Sequence, residues 1–313
     1  MGIGKDRLGN TYSVTYHDGT GNIRGATYAS ITTQGHLNLI DAGVTPTAPS
    51  TGKLIIFAEE YAGRVLPSAI GPSGVDYILQ SALYGNTNYV WLPGVTTTVS
   101  ISWGTGWTAR NSTGVQSHPV KGSTNSMTSI TRANFSTTAA AGSSGIQSTS
   151  TTGWLGNAAG LGGFLFFARF GLETMPGGNY NVLVGLSALN GNLAAETSTL
   201  VSTIALGKDT GDGTWQVMTR NATTGSNKIS TGITITLGQI LDLYIHTAPN
   251  SSSVRFYIKD GSTGADLYTS PTPITTNLPA NNIFLYMHTQ LRSSGTLNTK
   301  VLALNKMYLE TDL

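Results

Sequence analysis

The stretch from Gly160 to Leu189 constrains the fold of this chain more than any other part of its sequence. A glycine-rich turn leads into an almost unbroken apolar run, Phe164–Phe170. After the turn-forming residues Pro176–Gly178 comes a second apolar run, Tyr180–Leu186. Short runs rich in aromatic and β-branched residues, bounded by Gly and Pro, are typical of strands buried on at least one face. The sequence therefore predicts two strands, which we expect to be antiparallel neighbours in the core of one sheet.

The same rhythm of short strands and polar turns continues to the C-terminus. In Leu241–Thr247 and in Val254–Asp260, apolar and polar residues alternate, so each segment has one face for a core. Further strands are predicted at Thr199–Leu206, Trp215–Arg220, Ile233–Gly238, Ile283–His288 and Val301–Leu309. Many short strands separated by polar turns, without a repeat of fixed period, predict an all-β fold, a jelly-roll or lectin-like β-sandwich.

The composition restricts the class of function. Only 10% of the 313 residues are charged, against roughly 25% in ordinary soluble domains. Glycines number 39, and Ser and Thr are abundant, so hydroxyls, amides and backbone groups cover much of the surface. This surface is typical of extracellular structural and adhesive proteins. A formal net charge of +2, without a basic cluster, argues against nucleic acid or an anionic membrane as a partner.

The absence of cysteine from the sequence excludes disulfides and cysteine-based zinc sites. The N-terminal residues lack the apolar core of a signal peptide. No apolar run approaches the roughly 20 residues of a membrane-spanning helix. We therefore expect a protein that is assembled in a cytoplasm and exposed later, with no membrane insertion, no metal and no cofactor.

Three parts are predicted along the chain. Residues 1–50 form an N-terminal arm, in which Asp18-Gly19 lies between two short β-favouring runs and predicts a hairpin. This arm ends in a linker with two prolines. Residues 51–82 form a Pro- and Gly-rich connector with a strand at Lys53–Ala58, and residues 83–313 form the sandwich.

The first 82 residues carry many apolar side chains, yet Pro and Gly divide them into pieces too short for a core of their own. Three copies packed around one axis would bury this surface, and cyclic symmetry would give each copy the same environment. We therefore expect a homotrimer. The alternative is that a larger particle covers the surface and the isolated chain stays monomeric.

Two segments, Thr47–Ala58 and Ala62–Asp76, resemble fibre and virion structural proteins of tailed bacteriophages. In that family, an Ala-Pro-x-x-Gly linker leads to a strand and then to a Leu-Pro…Gly-Pro-Ser-Gly-x-Asp connector. Gly162–Gly171, Val184–Leu186 and Asp212–Trp215 are also similar to the family, so the resemblance covers most of residues 45–313.

This resemblance implies a homotrimeric appendage of a bacteriophage virion, exposed on the particle surface. Its residues 1–50 would join other virion proteins, of the tail or of the capsid. Its C-terminal sandwich would face outward and contact the host surface, with cell-surface polysaccharide as a candidate partner. The family supplies no catalytic residues for this chain.

Two other functions stay open: a capsid decoration or head fibre with a purely structural role, and a short polysaccharide depolymerase. A depolymerase needs two carboxylates roughly 5–9.5 Å apart. The adjacent pair Glu59-Glu60 points to opposite faces of a strand, and we interpret it as a solvated strand end. We therefore predict a binding protein and not an enzyme.

Tryptophans near an arginine are the best candidates for ligand binding, because an aromatic face stacks on the apolar face of a sugar while polar groups bind its hydroxyls. We select Trp103, Trp107 and Arg110 from a segment that also contains Trp91. The alternative is that these tryptophans fill the core or a subunit contact. The five histidines show no ligand-like spacing, and we interpret them as surface or strand-end residues.

Overall fold

The structure is a computed structural model of the chain. It describes residues 45–71, 87–93, 106–137, 141–175, 177, 179–223, 225–295 and 298–311, and the backbone of short strands at 2–5, 11–14, 16–17, 23–24 and 76–78. The chain divides into two compact units, Met1–Leu39 and Ile40–Leu313.

The described residues of the first unit form two short antiparallel pairs. Strand β1 (Gly2–Lys5) pairs with β2 (Thr11–Val14), and β3 (Tyr16–His17) pairs with β4 (Ile23–Arg24). The second pair flanks Asp18-Gly19, as the sequence predicts.

In its described residues, the second unit consists of antiparallel strands and one short 3-10 turn, Thr197–Thr199. Its described strands are β5 (Ile55–Tyr61), β6 (Arg64–Ile70), β7 (Asp76–Ile78), β8 (Thr87–Trp91), β9 (Trp107–Ala109), β10 (Gly114–Ser117), β11 (Ala133–Thr137), β12 (Ser143–Ser148), β13 (Phe164–Thr174), β14 (Tyr180–Ser187), β15 (Thr203–Lys208), β16 (Thr214–Arg220), β17 (Ser226–Thr234), β18 (Leu241–Thr247), β19 (Arg255–Asp260), β20 (Asp266–Thr269), β21 (Tyr286–Ser293) and β22 (Lys300–Thr311). Within the described part of the chain, no helix is long and apolar enough to span a bilayer.

Two sheets form a β-sandwich. In the described residues, the first sheet has eight strands in the order β10-β11-β22-β13-β18-β19-β20, with β8 also paired to β22. The second sheet has seven, in the order β17-β16-β15-β14-β21-β12-β9. Because the chain crosses repeatedly between the sheets, this order is that of a jelly roll, which confirms the predicted all-β sandwich.

Apolar side chains from both sheets meet in one core. Phe170 of the first sheet packs edge-on against Trp215 of the second, with 5.3 Å between ring centroids. The inward residues predicted from the alternation in β18 and β19 all lie in this core: Leu241, Leu243, Ile245, Val254, Phe256 and Ile258. Alternation along a strand therefore predicted its buried face correctly.

The prediction that the two runs of Gly160–Leu189 are neighbours in one sheet is wrong. Strand β13 pairs with β18 and β22 in the first sheet, whereas β14 pairs with β15 and β21 in the second. The two strands face each other across the core, since the connection between them is long enough to cross the roughly 10 Å that separates packed sheets.

Strand β13 is buried on both faces. Phe164, Phe166 and Phe170 point into the core, while Leu165 and Phe167 point to the outer face of the first sheet. There, β5 and β6, which we call the hairpin, pack Tyr61 and Leu66 against Leu165 and its neighbours Tyr244 and Tyr257. This second cover explains why the apolar run has no polar break, because a strand covered on both faces needs apolar residues at consecutive positions.

Two ion pairs hold the hairpin on the first sheet. Glu59 Oε1 lies 2.9 Å from Lys259 Nζ, and Arg64 Nη2 lies 2.8 Å from Glu310 Oε1. The side chains of Lys259 and Glu310 are only 3% and 1% exposed, so both charges depend on their partners in the hairpin. Tyr61 donates a 2.6 Å hydrogen bond to Glu59 Oε2, and burial raises the pKa of its phenol, which therefore stays protonated.

Our interpretation of Glu59-Glu60 as a solvated strand end is wrong for Glu59. Alternation along β5 leaves Glu60 exposed but turns Glu59 toward the sheet, where it is 8% exposed. The sequence does not reveal this difference, because the partner Lys259 lies 200 positions away.

We expect Glu59→Gln to destabilise the protein by about 3–5 kcal/mol, because it leaves the buried ammonium of Lys259 without its carboxylate. Asp266 does not replace it, since its oxygen lies 4.0 Å from Lys259 Nζ and its side chain is 59% exposed. The matched control Glu60→Gln, at the exposed neighbour, should change stability by less than about 0.5 kcal/mol. Urea unfolding followed by tryptophan fluorescence measures both. Equal effects of the two substitutions would show that the buried ion pair does not stabilise the fold.

Candidate functional site

Loops from both sheets enclose a cleft of about 450 Å³ at one end of the sandwich. We call it the end cleft. Its volume falls in the roughly 300–1,000 Å³ range of small-molecule sites. Most of its lining is uncharged and polar: Asn221, Asn250, Ser251, Ser252, Thr275, Asn277 and Asn281. The rest consists of Leu155, Gly156, Leu278 and Pro279.

Backbone hydrogen bonds fix the loops around the end cleft. Gly156 N donates to Asn281 O at 3.1 Å, and Asn250 N donates to Leu161 O at 3.0 Å. Gly156 has a φ of +93°, and a Cβ there would lie 1.8 Å from Leu161 O, so this close approach requires glycine. The loops are therefore held in place before any ligand arrives.

Two amides of the lining are available to a ligand. The side chain of Asn221 accepts hydrogen bonds from Thr223 N and Gly225 N, and Asn277 Nδ2 donates to Asn227. In contrast, the exposed side-chain amides of Asn250 and Asn281 have no hydrogen bond to any other described residue. Each can donate and accept at once, which is what sugar hydroxyls require.

Two aromatic residues, Trp154 and Phe284, are close in sequence to residues that line the end cleft. The rings of Trp154 and Phe284 stack with 4.8 Å between centroids and 22° between planes. We call this pair the aromatic platform. The antiparallel bridge between Gly153 and Leu285 brings the two rings together. Phe284 is 51% exposed, an unusual position for a large aromatic side chain.

The two residues of the platform are not among those predicted from the sequence to bind a ligand. One signal was present: Ile283–His288 contains three large apolar residues in succession, so alternation requires one of them to lie outside the core. Leu285 and Met287 point into the core, which leaves Phe284 on the outer face.

The three predicted ligand-binding residues do not form one cluster. Trp103 lies outside the described residues. Trp107, at the start of β9, is half-buried and packs against the core. Trp91, which we also considered, is 3% exposed and packs against Phe135.

Arg110 lies on the opposite side of the second sheet from Trp107. Its Nε donates to Gln147 Oε1 at 2.5 Å, and its Nη2 donates to Asn190 Oδ1. Its backbone oxygen accepts from Gln290 Nε2 at 3.0 Å. The structure thus surrounds Arg110 with amides, and its role in ligand binding stays a prediction.

The histidine interpretation is wrong for His288. This side chain is 0% exposed, because the loop between β14 and β15 covers it on the outer face of the second sheet. Its Nε2 lies 3.0 Å from Gln290 Oε1, and its Nδ1 lies 3.2 Å from Ser187 Oγ. Since Gln290 Oε1 can only accept, Nε2 carries the proton and Ser187 donates to Nδ1.

This Ser187–His288 contact does not form an accessible catalytic dyad. Both side chains are 0% exposed, so a substrate cannot reach the serine oxygen. The second nitrogen of the imidazole meets an amide, where a catalytic triad has a carboxylate.

His246 lies on the outer face of the first sheet. Its Nδ1 is 3.0 Å from Ala62 O, and it does not meet His288. In the described part of the chain, no group of three His, Asp or Glu residues is arranged to hold a metal ion.

Comparisons with known proteins identify the fold and no family. No family model matches the sequence, and no curated protein matches it. A crystal structure of a protein of unknown function from Shewanella oneidensis MR-1 is similar with a TM-score of 0.50 and 9% identity, over 75% of this chain and 90% of that one. At this identity, the similarity supports the sandwich fold alone.

Two further similar structures have lower scores. Lectin II from Ulex europaeus has a TM-score of 0.46 and 12% identity, over 73% of this chain and 98% of the lectin. A carbohydrate esterase from the Shiga toxin-encoding bacteriophage phi24B has a TM-score of 0.42 and 15% identity, over 73% of this chain and 100% of that one. One of the similar structures is therefore a lectin and another is encoded by a phage.

We expect the stability of the protein to fall on acidification through His288. Burial, and secondarily the positive charge of Arg110, lowers the pKa of His288 to about 4, whereas a histidine in the unfolded chain titrates near 6.5. Between these values only the unfolded chain binds the proton, so stability is full above about pH 6.5 and falls as the pH drops toward 4, by up to about 3 kcal/mol.

Urea unfolding at several pH values, compared between the wild type and His288→Gln, isolates this contribution from that of the carboxylates. The variant should lose less stability between pH 7 and pH 4 than the wild type. Parallel pH profiles of the two proteins would contradict the assignment of His288 as a buried neutral group.

Proposed function

We propose that this protein is a fibre-like appendage of a bacteriophage virion whose β-sandwich binds glycan on the host surface. The end cleft and the aromatic platform carry the proposal. In this role, residues 1–50 attach the chain to the tail or capsid, residues 51–82 connect and trimerise, and residues 83–313 face the host. The phage assignment is supported by the linker and connector motifs of residues 45–76.

The chemistry of the end cleft favours a saccharide. A sugar ring presents hydroxyls around its edge and C–H groups on its faces. The free amides of Asn250 and Asn281 suit the hydroxyls, and the exposed ring of Phe284 offers an apolar face for stacking. A largely uncharged lining binds hydroxyls without first removing a protein charge from water.

The same lining supports binding without hydrolysis. None of the residues that line the end cleft is acidic, whereas glycoside hydrolysis uses two carboxylates flanking the bond. Several described carboxylates are already engaged in ion pairs: Glu59 with Lys259, Glu173 with Arg132, Asp242 with Arg169, and Glu310 with Arg64. We therefore favour adhesion over the depolymerase alternative.

Trimerisation would convert weak sites into firm attachment, because three chains on one particle raise the effective concentration of the second and third sites. Exposed apolar residues in the connector support it. Leu54, Ile56 and Val65 are 63%, 56% and 49% exposed, and burying them between copies would stabilise association by roughly 25 cal/mol per Å² of apolar surface.

We expect the purified protein to bind host cells or surface polysaccharide without releasing reducing ends. Trp154→Ala and Phe284→Ala should each weaken binding about tenfold, the effect of losing one aromatic contact of roughly 1.4 kcal/mol. Leu237→Ala is the control, since Leu237 is 51% exposed in the loop at the other end of β18. A glycan array followed by calorimetry measures these affinities.

Three outcomes separate the functions in this experiment. Weaker binding by the platform variants alone supports the end cleft as the site. Release of reducing ends from capsule or lipopolysaccharide would support a depolymerase. The absence of binding to any cell or polysaccharide would favour the structural role of a capsid decoration or head fibre.

We expect the full chain to be a homotrimer in solution. Light scattering at micromolar concentration should give about three times the chain mass of 32.7 kDa. Ile56→Glu should shift the mass toward the monomer, because it places a charge in the proposed contact. The control is Leu237→Glu, at an exposed apolar residue outside the connector. A wild-type mass near 32.7 kDa would contradict the trimer.

A further inference from the structure

Arg110 is a half-buried cation whose nearest partners are uncharged. Three other arginines, Arg64, Arg132 and Arg169, pair with carboxylates. Among the described residues, no carboxylate oxygen lies within 4.0 Å of Arg110. The preceding residues 94–105 contain no Asp or Glu in the sequence. In the part of the chain that the structure describes, Arg110 therefore has no carboxylate as a direct ion-pair partner.

Neutral amides hold the guanidinium in position. Its Nε bonds to Gln147 and its Nη2 bonds to Asn190, which leaves Nη1 without a hydrogen bond to any described residue. Gln147 and Gln290, which anchor Arg110 through its side chain and its backbone, are both 0% exposed. The donors are thus oriented before a ligand binds, and this lowers the entropic cost of binding.

The surroundings of Arg110 are open to solvent and polar. Asn111, Ser112, Asn190 and Asn192 are exposed. Asn192 Nδ2 donates to the backbone oxygen of Asn111 at 3.3 Å, which ties the loop after β14 to the segment after β9. A carboxylate that approaches Nη1 would therefore also meet amide groups that can bind its neighbouring hydroxyls.

Arg110 and the aromatic platform lie on the same face of the same sheet. Phe284 precedes β21 on its outer face, and Gln290, the residue of β21 that contacts Arg110, is six positions further along. At about 3.3 Å per strand residue, the two sites are about 20 Å apart along the strand direction. An extended oligosaccharide can span such a distance, whereas a single sugar ring cannot.

We propose that the glycan bound by this protein is acidic, and that Arg110 binds one of its carboxylates. This inference rests on the proposed function, since it names the class of saccharide that the sandwich recognises. The planar guanidinium matches a carboxylate through charge-assisted hydrogen bonds. Such a bond is worth enough to change affinity by about tenfold to a hundredfold.

The test uses the full-length protein and the host polysaccharide that binds most strongly in the array, in its native form and after chemical reduction of its carboxyl groups to alcohols. Arg110→Gln should weaken binding of the native polysaccharide about tenfold or more and leave binding of the reduced form unchanged. The wild type should likewise prefer the native form by a similar factor.

Arg255→Gln is the matched control, because it removes the positive charge of another half-buried arginine, on β19 of the first sheet, and leaves Arg110 and its amide partners intact. It should change binding of both forms less than about threefold. If Arg110 only stabilises the loop, Arg110→Gln will weaken binding of both forms equally, and the inference is wrong. Thermal melting of each variant shows whether the fold is retained.

The outcomes also separate this inference from the proposed function. A polysaccharide without carboxylates as the strongest ligand, or equal affinity of the wild type for the native and reduced forms, overturns the acidic-glycan inference and leaves glycan binding intact. The absence of binding to any polysaccharide overturns both. Weaker binding by Trp154→Ala, together with loss of the preference for the native form in Arg110→Gln but not in Arg255→Gln, supports both.

Discussion

Burial of β13 on both of its faces is the constraint on which the rest of the structure depends. Its inner phenylalanines need the second sheet, and its outer Leu165 and Phe167 need the hairpin. Strand β13 also lies between β22 and β18, so it joins the C-terminal strand to the middle of the chain. The connector residues 55–70 are consequently part of the packed unit, and the ion pairs of Glu59 and Arg64 fix their orientation on the sandwich.

The outer faces of the two sheets are shielded from solvent by different kinds of groups. The first sheet is covered by an apolar cluster and buried ion pairs from the hairpin. The second is covered by the loop after β14, which bonds to Gln290 through Leu193 N at 2.7 Å. Amides satisfy buried polar groups without the desolvation cost of a charge. A chain poor in charge can therefore cover a polar sheet face. Arg110 and Arg292 are two arginines on this face whose side chains donate hydrogen bonds to neutral amides.

Of the residues proposed to bind glycan, only Arg110 was selected from the sequence, and its role in binding stays a prediction. Arg110 was selected because an arginine near tryptophans suits a sugar, and the structure places it on an accessible polar face. The aromatic platform was not selected, since Trp154 and Phe284 are 130 positions apart and meet only through the bridge of Gly153 and Leu285. The end cleft was not predicted either, because its four asparagines come from three separate loops.

The sequence alone determined the fold class and the inward face of each strong strand, because a strand has a side-chain period of two and the apolar residues follow it. Only the tertiary structure decided that β13 and β14 belong to different sheets, that Glu59 is buried while Glu60 is exposed, and that Trp91 fills the core. The physical reason is that local alternation specifies which side of a strand is apolar, whereas pairing and cover depend on residues far apart in the chain. Arg64 and Glu310, which are 246 positions apart, are the clearest example.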